Sequence, residues 1–81
     1  MILVLGAPGL LGSEICKRLG ASGRPVRAFV RPHSVRAAEL REAGAELFVG
    51  DLRSADDLQR ACEGAHAVIS TATGSGRQIS L

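Results

Sequence analysis

The sequence predicts an α/β fold: a parallel sheet of four strands in the order 3-2-1-4, joined by three crossover helices. Three observations predict it. The chain opens on a continuous apolar run, Ile2–Leu5, that ends in glycine, the mark of a strand buried on both faces. Segments of helical period then alternate with short apolar runs as far as Thr71. The links between them are brief and carry glycine, proline or serine, so each strand is followed directly by a crossover.

After the first strand, Leu10–Gly20 reads as a helix with Leu11, Ile15 and Leu19 on one stripe and Glu14, Lys17 and Arg18 on the wet side. Gly20, Gly23 and Pro25 punctuate its exit. Val26–Val30 is the second strand, followed by Arg31-Pro32. Ser34 is placed to cap a second helix running through Ala43, with Ala37, Leu40 and Ala43 inward and Gly44 at its end. Glu46–Val49 is the third strand. Ser54 and Asp57 have the spacing of a capping box and open a third helix through Cys62, with Leu58, Ala61 and Cys62 on one face. His66–Thr71 is the fourth strand, and Gly74–Leu81 shows no clear period. The first two crossovers step one way and put their helices on one face of the sheet. The third jumps back past the first strand, which puts its helix on the other face.

The 81 residues suit one small domain or a piece of a larger one, with no repeat, linker or second domain in view. Apolar residues make up 46% and aromatics 2%, so the core is built from Leu, Val, Ile and Ala. A net charge of +2, with basic residues scattered and not interleaved with aromatics, argues against direct nucleic-acid binding. Cys16 and Cys62 have no CxxC neighbour and are expected as small buried thiols. His33 and His66 lack partners at metal-ligand spacing, so no metal site is expected. The start has no basic segment and is broken by Pro8 and three glycines, so it reads as strand and turn, not as a targeting segment. No apolar run reaches membrane-spanning length, and a cytoplasmic location is the default expectation.

The chemistry is concentrated in the first turn. Strand, glycine turn and helix together form an anion site, because the helix start carries unpaired N–H groups and glycines remove the Cβ atoms that hold an anion away. The P-loop pattern fails, since Ser13 follows Gly12 and the first lysine is Lys17. The strict G-x-G-x-x-G fingerprint fails, since Pro8 occupies its second glycine position. What stands is G-x-x-G-x-x-G, in Gly6-Ala7-Pro8-Gly9-Leu10-Leu11-Gly12. The alternative reading of these glycines is close strand–helix packing alone.

This turn, "VRPHS" after the second strand, "GDL" after the third and "ISTAT" at the fourth occur in an order that resembles the N-terminal half of the short-chain dehydrogenase/reductase superfamily. The similarity is greatest to its atypical, NmrA-like NAD(P)-binding group and runs from Ile2 to about Gly74. It implies a Rossmann-like sheet, residues 1–81 being the N-terminal half of the domain, and a nicotinamide dinucleotide as cofactor. The family's turn commonly reads T-G-A-T-G-x-x-G, and here Leu5 and Pro8 replace both threonines. Pro8 gives up an N–H and a hydroxyl, but its φ suits the approach to a helix and the Leu10 and Leu11 amides remain.

At the end of the second strand, an acid selects the ribose hydroxyl of NAD and an arginine accommodates the 2′-phosphate of NADP. This chain offers Arg31, then His33 and Arg36, with no acid until Glu39. Arg31 is therefore the expected phosphate contact and NADP(H) the preferred cofactor, with NAD(H) as the alternative; a solvated arginine is the plain reading. The resemblance further implies that Asp51 accepts from the adenine amino group, that the Leu52 amide meets the ring, and that the backbone of Ala72 and Thr73 borders the ribose and nicotinamide side. Asp51 as a turn or cap residue stays open beside this.

The better-known branches of the superfamily use a Tyr-x-x-x-Lys pair for proton transfer. This chain has no tyrosine, and its one lysine, Lys17, lies on the first helix, so no catalytic residue is assigned. One short helix must also cover a four-stranded sheet on its own face, which suggests a truncated domain whose open side receives a C-terminal half or a protein partner. The leading expectation is the cofactor-binding segment of an NADPH-dependent oxidoreductase. A non-enzymatic redox-sensing regulator that binds the dinucleotide and a protein partner is the alternative, and a marginally stable piece that binds nothing is the third.

Overall fold

A computed structural model describes residues 1–7 and 9–71 of the chain. Pro8, Ala72 and Thr73, three of the expected cofactor residues, lie outside the described residues. The elements run β1 (Ile2–Leu5), α1 (Leu10–Ala21), β2 (Val26–Val30), α2 (Ala37–Glu42), β3 (Glu46–Val49), α3 (Ala55–Ala61) and β4 (Ala67–Ser70). The four strands form one sheet in the order β3-β2-β1-β4, every pair parallel. Ile2 lies opposite Val26 and Ala67, and Arg27 opposite Glu46.

Alternation along the central strands divides the core into two. Ile2, Val4, Val26, Ala28 and Val30 pack with Cys16 and Leu40, the face covered by α1 and α2. Leu3 and Phe29 point the other way and pack with Ala61 of α3. Phe29 stacks on Phe48 there, with ring centroids 5.4 Å apart. β1 is apolar throughout because it has a neighbour strand on each side and a helix layer on each face. The coverage by α3 is incomplete: Val68, in register with the fully buried Leu3, keeps 49% of its surface exposed.

Helix α1 departs from the expected stripe. Leu11 is 64% exposed, and the buried positions are Gly12, Ser13 and Cys16, with Ile15 and Leu19 partly buried. The start of the contact face is a ridge of small residues, because α1 lies so close to the glycine turn there that a Cβ on Gly12 would sit 2.2 Å from the Gly6 oxygen. A Cβ on Gly20 would sit 2.5 Å from the carbonyl oxygen of Ala43, so this glycine lets α1 press against the end of α2. α1 runs one residue past Gly20, to Ala21. Lys17 and Glu39 join the same two helices by an ion pair of 2.6 Å.

Helix α2 starts at Ala37, later than the sequence suggests, and Ser34 does not cap it. Residues Arg31 to Ser34 form a turn closed by the Ser34 N–H donating to the Arg31 carbonyl at 3.2 Å, which diverts the chain before the helix can begin. Leu40 is fully buried as expected. At α3 the Ser54 hydroxyl accepts from the Asp57 N–H at 3.1 Å, half of the expected capping box. The Asp57 carboxylate does not return to Ser54 but accepts the Asp51 N–H at 2.9 Å. Cys62, expected buried, is exposed: α3 ends at Ala61, and Cys62 turns outward at its C-cap.

The other end of α3 is held by a residue the sequence gave no reason to single out. Arg27 of β2 donates through one guanidinium nitrogen to the carbonyls of Ala61 and Glu63, each at 2.7 Å. It also pairs with Glu46 at 3.4 Å. A cation on the carbonyls of a helix end satisfies orphan acceptors and opposes the negative end of the dipole.

Candidate functional site: the carboxyl edge of the sheet

All four strands point the same way, so their following residues meet along one edge. Gly6 follows β1, Arg31 follows β2, Gly50 and Asp51 follow β3, and Thr71 follows β4. In open α/β sheets this edge, where the strand order reverses, is where ligands bind. The reversal falls between β1 and β4, beside the glycine turn.

Gly6 has φ +79°, a conformation that side chains with a Cβ rarely adopt. The turn it opens is closed by the Gly9 N–H donating to the Gly6 carbonyl at 3.1 Å. Gly12 then sits against the turn, where a Cβ would lie 2.2 Å from the Gly6 oxygen and 2.8 Å from the Ala7 Cα. Gly12 is a packing glycine. Gly9 is different: its φ is −71°, and an added Cβ would find its nearest neighbour at 3.4 Å, an ordinary contact. Neither backbone conformation nor packing within the described residues demands glycine there, and Gly9 lines a cleft.

Gly9 is also the N-cap of α1, with no side-chain cap and no acid in the first turn. The start of α3, by contrast, has the Ser54 cap together with Asp56 and Asp57. Among the described residues, the positive end of α3 is answered by side chains and that of α1 is not. Leu10 and Leu11 stand exposed on the first turn of α1, and Gly12 lies buried below it.

Among the described residues, two clefts of about 640 Å³ each run along the edge. The first lies between the glycine turn and the Arg31–Ser34 turn, with Leu52 and Thr71 on its walls. The second lies between Arg31 and the loop after β3, lined by Gly50, Asp51, Leu52 and Asp57. They share Arg31, Pro32 and Leu52. The structure therefore brings Gly6, Gly9, Arg31, Asp51 and Leu52 onto one continuous surface. Arg31 forms no ion pair among the described residues.

Asp51 is already engaged. Both of its carboxylate oxygens accept from the Arg53 guanidinium, at 3.1 and 2.9 Å, and one also accepts the Arg53 N–H at 2.8 Å. Those Arg53 hydrogen bonds hold its carboxyl down at about 2, with the charge of Arg31 a smaller contribution. The turn-forming role is thus real, and the ionised carboxylate retains lone pairs for a further donor. Asp57 is likewise shifted down, first by the Asp51 N–H and then by Arg60.

Thr71 was not singled out as a site residue. Its hydroxyl lies 3.2 Å from the carbonyl oxygens of both Leu5 and Gly6, which ties the end of β4 to the start of the glycine turn. The signal available was a hydroxyl at the last position of an apolar strand. Lys17 lines neither cleft. No metal-binding cluster of His, Cys, Asp or Glu occurs among the described residues, and no helix there is long and apolar enough to cross a membrane.

Residues 6–80 match a family described as NAD(P)H-binding. The chain belongs to this NAD(P)H-binding family. The chain is also similar to proteins with different named roles. The chain is 42% identical over 72 residues to the photosystem II assembly factor Ycf39 of Cyanophora paradoxa, covering 89% of this chain and 22% of that protein. It is 37% identical over 73 residues to a 2-alkyl-3-oxoalkanoate reductase of Shewanella oneidensis, covering 90% and 18%. Among solved structures, AtPrR2 with NADP+ and (+)pinoresinol superposes with a TM-score of 0.78 at 26% identity, covering 90% of this chain and 26% of that one. The chain therefore spans about a fifth to a quarter of the length of these relatives.

Proposed function

We propose that the chain is the NADP(H)-binding segment of a reductase, with NADP(H) taken in preference to NAD(H). The observation that carries this reading is Arg31. It stands where the two clefts join, without an ion-pair partner among the described residues, at the strand end where an NAD site keeps an acid. Its planar fork suits a phosphate monoester.

The other residues fit the rest of the dinucleotide. The pyrophosphate lies over Gly9 and the Leu10 and Leu11 amides, at a helix start with no side-chain cap and no acid in its first turn. The adenine lies toward Asp51 and the Leu52 amide in the second cleft. When bound, the nicotinamide supplies hydride chemistry, directed in the longer protein at a small carbonyl, quinone or flavonoid-like acceptor. The chain holds no tyrosine, and Lys17 is tied to Glu39, so the segment alone binds without turnover. The name of the Shewanella relative supports the reductase reading.

A second reading has an observation of its own. The exposed Val68 leaves the α3 face of the sheet open beside β4, and the Ycf39 relative is named as an assembly factor. In that reading the nucleotide-bound chain serves a protein partner and not a substrate.

Fluorescence titration of the 81-residue chain with NADPH and NADH tests the leading proposal. A charge-assisted contact to the 2′-phosphate gives roughly a tenfold or greater preference for NADPH. Arg31→Ala abolishes that preference and leaves NADH binding unchanged. Equal affinities in the native chain, or a preference that survives Arg31→Ala, refutes it.

A further inference from the structure

We infer that Asp57 is a positioning residue for cofactor recognition: from the first turn of α3 it fixes the loop after β3 in the form that tells adenine from other purines. The inference rests on the adenine pose proposed above and adds to it a residue that acts through Asp51.

The loop after β3 is tied down group by group. The Gly50 N–H donates to the Val30 carbonyl at 2.9 Å, which joins the loop to the strand end that carries Arg31. The Asp51 N–H donates to Asp57 Oδ2 at 2.9 Å, and the Asp51 carbonyl accepts from the Ser54 N–H at 2.9 Å. The Asp51 carboxylate is held by Arg53. Asp51 is thus fixed at its N–H, its carbonyl and its side chain, and the hold on its N–H is the one anchored inside a helix. The next N–H, of Leu52, has no partner among the described residues, and Leu52 lines the second cleft together with Asp51 and Asp57.

Asp57 is diverted to this task from an ordinary one. An acid three residues after a serine cap normally turns back to the N–H of the cap residue. Here the Ser54 N–H is taken by the Asp51 carbonyl, and the Asp57 carboxylate reaches past it to the Asp51 N–H. Arg60 donates to its other oxygen, Oδ1, at 2.7 Å and so sets the rotation of the carboxylate. The room it occupies is left by Gly50. A Cβ there would lie 3.1 Å from Asp57 Oδ2, 3.0 Å from the Phe29 ring and 3.2 Å from the Phe48 ring. Gly50 is not among the glycines with positive φ, so space and not backbone conformation calls for glycine at this position.

The chemical consequence lies in the pairing of two groups. Adenine offers an amino donor beside a ring-nitrogen acceptor, and the loop offers the Asp51 carboxylate beside the Leu52 N–H. Hypoxanthine reverses the pair, with an oxo acceptor beside a ring N–H. Discrimination therefore requires the carboxylate and the N–H to be held in one fixed relation before the ring arrives, which also lowers the ordering cost of binding. Asp57 fixes the N–H that precedes both groups in the chain.

The test is titration of the 81-residue chain with NADPH and with its deamino analogue, in which hypoxanthine replaces adenine. The native chain prefers NADPH by roughly tenfold or more, the scale of a hydrogen bond to a charged group. In Asp57→Ala the preference falls to roughly threefold or less. Asp57→Asn, whose amide oxygen still accepts the Asp51 N–H, retains it. Arg60→Ala, which leaves that hydrogen bond in place, retains it too. Both ligands are measured on the same protein, so a general loss of stability cancels from the ratio. Amide exchange of the native chain needs no variant, and the Asp51 N–H is expected to be protected. A preference that is unchanged in Asp57→Ala, or lost equally in Arg60→Ala, or an unprotected Asp51 N–H, overturns the role of Asp57 and leaves the adenine pose intact. Equal affinities of the native chain for the two ligands overturn the adenine pose as well and leave the Arg31 reading standing. Absence of NADPH binding overturns all three.

Discussion

Gly9 and Gly12 belong to one motif, yet the structure assigns them opposite physical roles, and alanine at each separates them. At Gly12 a Cβ would meet the Gly6 oxygen at 2.2 Å and two further backbone atoms at 2.8 Å, distances at which something must move. The atoms in the way are backbone of the turn, so relief requires α1 to lift from the sheet. Overpacking of this kind costs about 1–3 kcal/mol or more, and the better helix propensity of alanine returns about 1. With backbone on both sides of the clash, Gly12→Ala is expected to destabilise by about 2 kcal/mol net. For a domain of this size that lowers the melting temperature by roughly 8–16 °C. At Gly9 the added Cβ makes only a 3.4 Å contact, so stability stays within about 0.5 kcal/mol of the native chain. In the proposed binding pose the methyl group there meets the cofactor instead, and Gly9→Ala is expected to lose NADPH affinity by roughly tenfold or more. Urea denaturation and NADPH titration of both variants measure the two quantities. If Gly9→Ala destabilises as much as Gly12→Ala while binding survives, both glycines serve packing alone and the phosphate site is refuted.

Two further expectations follow from side chains outside the glycine turn. Arg27→Met removes two 2.7 Å hydrogen bonds to the end of α3, one of them part-buried, and is expected to cost about 2 kcal/mol in a urea melt, with α3 the first element to lose amide protection. The Asp51 carboxyl is depressed in the folded chain to about 2, so its stabilising contribution is present above the unfolded value near 4 and is lost as pH falls through about 2. Arg53→Gln removes the main cause, and carboxyl NMR should then record the Asp51 titration moving up toward the ordinary aspartate range; an unmoved titration contradicts the pairing.

Much of the architecture was legible before any coordinates. Period and punctuation placed β1, β2 and β3 at their observed bounds, because an apolar run between turn residues has few other uses in a small α/β chain. Strand order was legible because crossovers have one hand and a reversal must put the third helix on the far face. Helix faces were less so. Leu11 looked inward by spacing, yet the buried ridge is Gly12 and Cys16, since burial depends on how closely α1 approaches the sheet. Cys62 looked inward for the same reason and faces solvent because α3 stops one residue earlier. At the site, Gly6, Gly9, Arg31, Asp51 and Leu52 were all nominated from motifs and all line the clefts.

What the sequence determined alone was the set of local preferences: which residues extend, which coil, where the chain turns, and which groups an anion would favour. Those depend on neighbours a few positions away, and the local order of residues is enough to state them. Only the tertiary structure decided that Gly12 is buried in backbone while Gly9 stands clear, that Asp51 is clasped by Arg53, and that Arg27 closes α3 from a strand 34 residues distant. These are matters of approach between segments that the order of residues leaves free, and they exist once the sheet has brought the segments together.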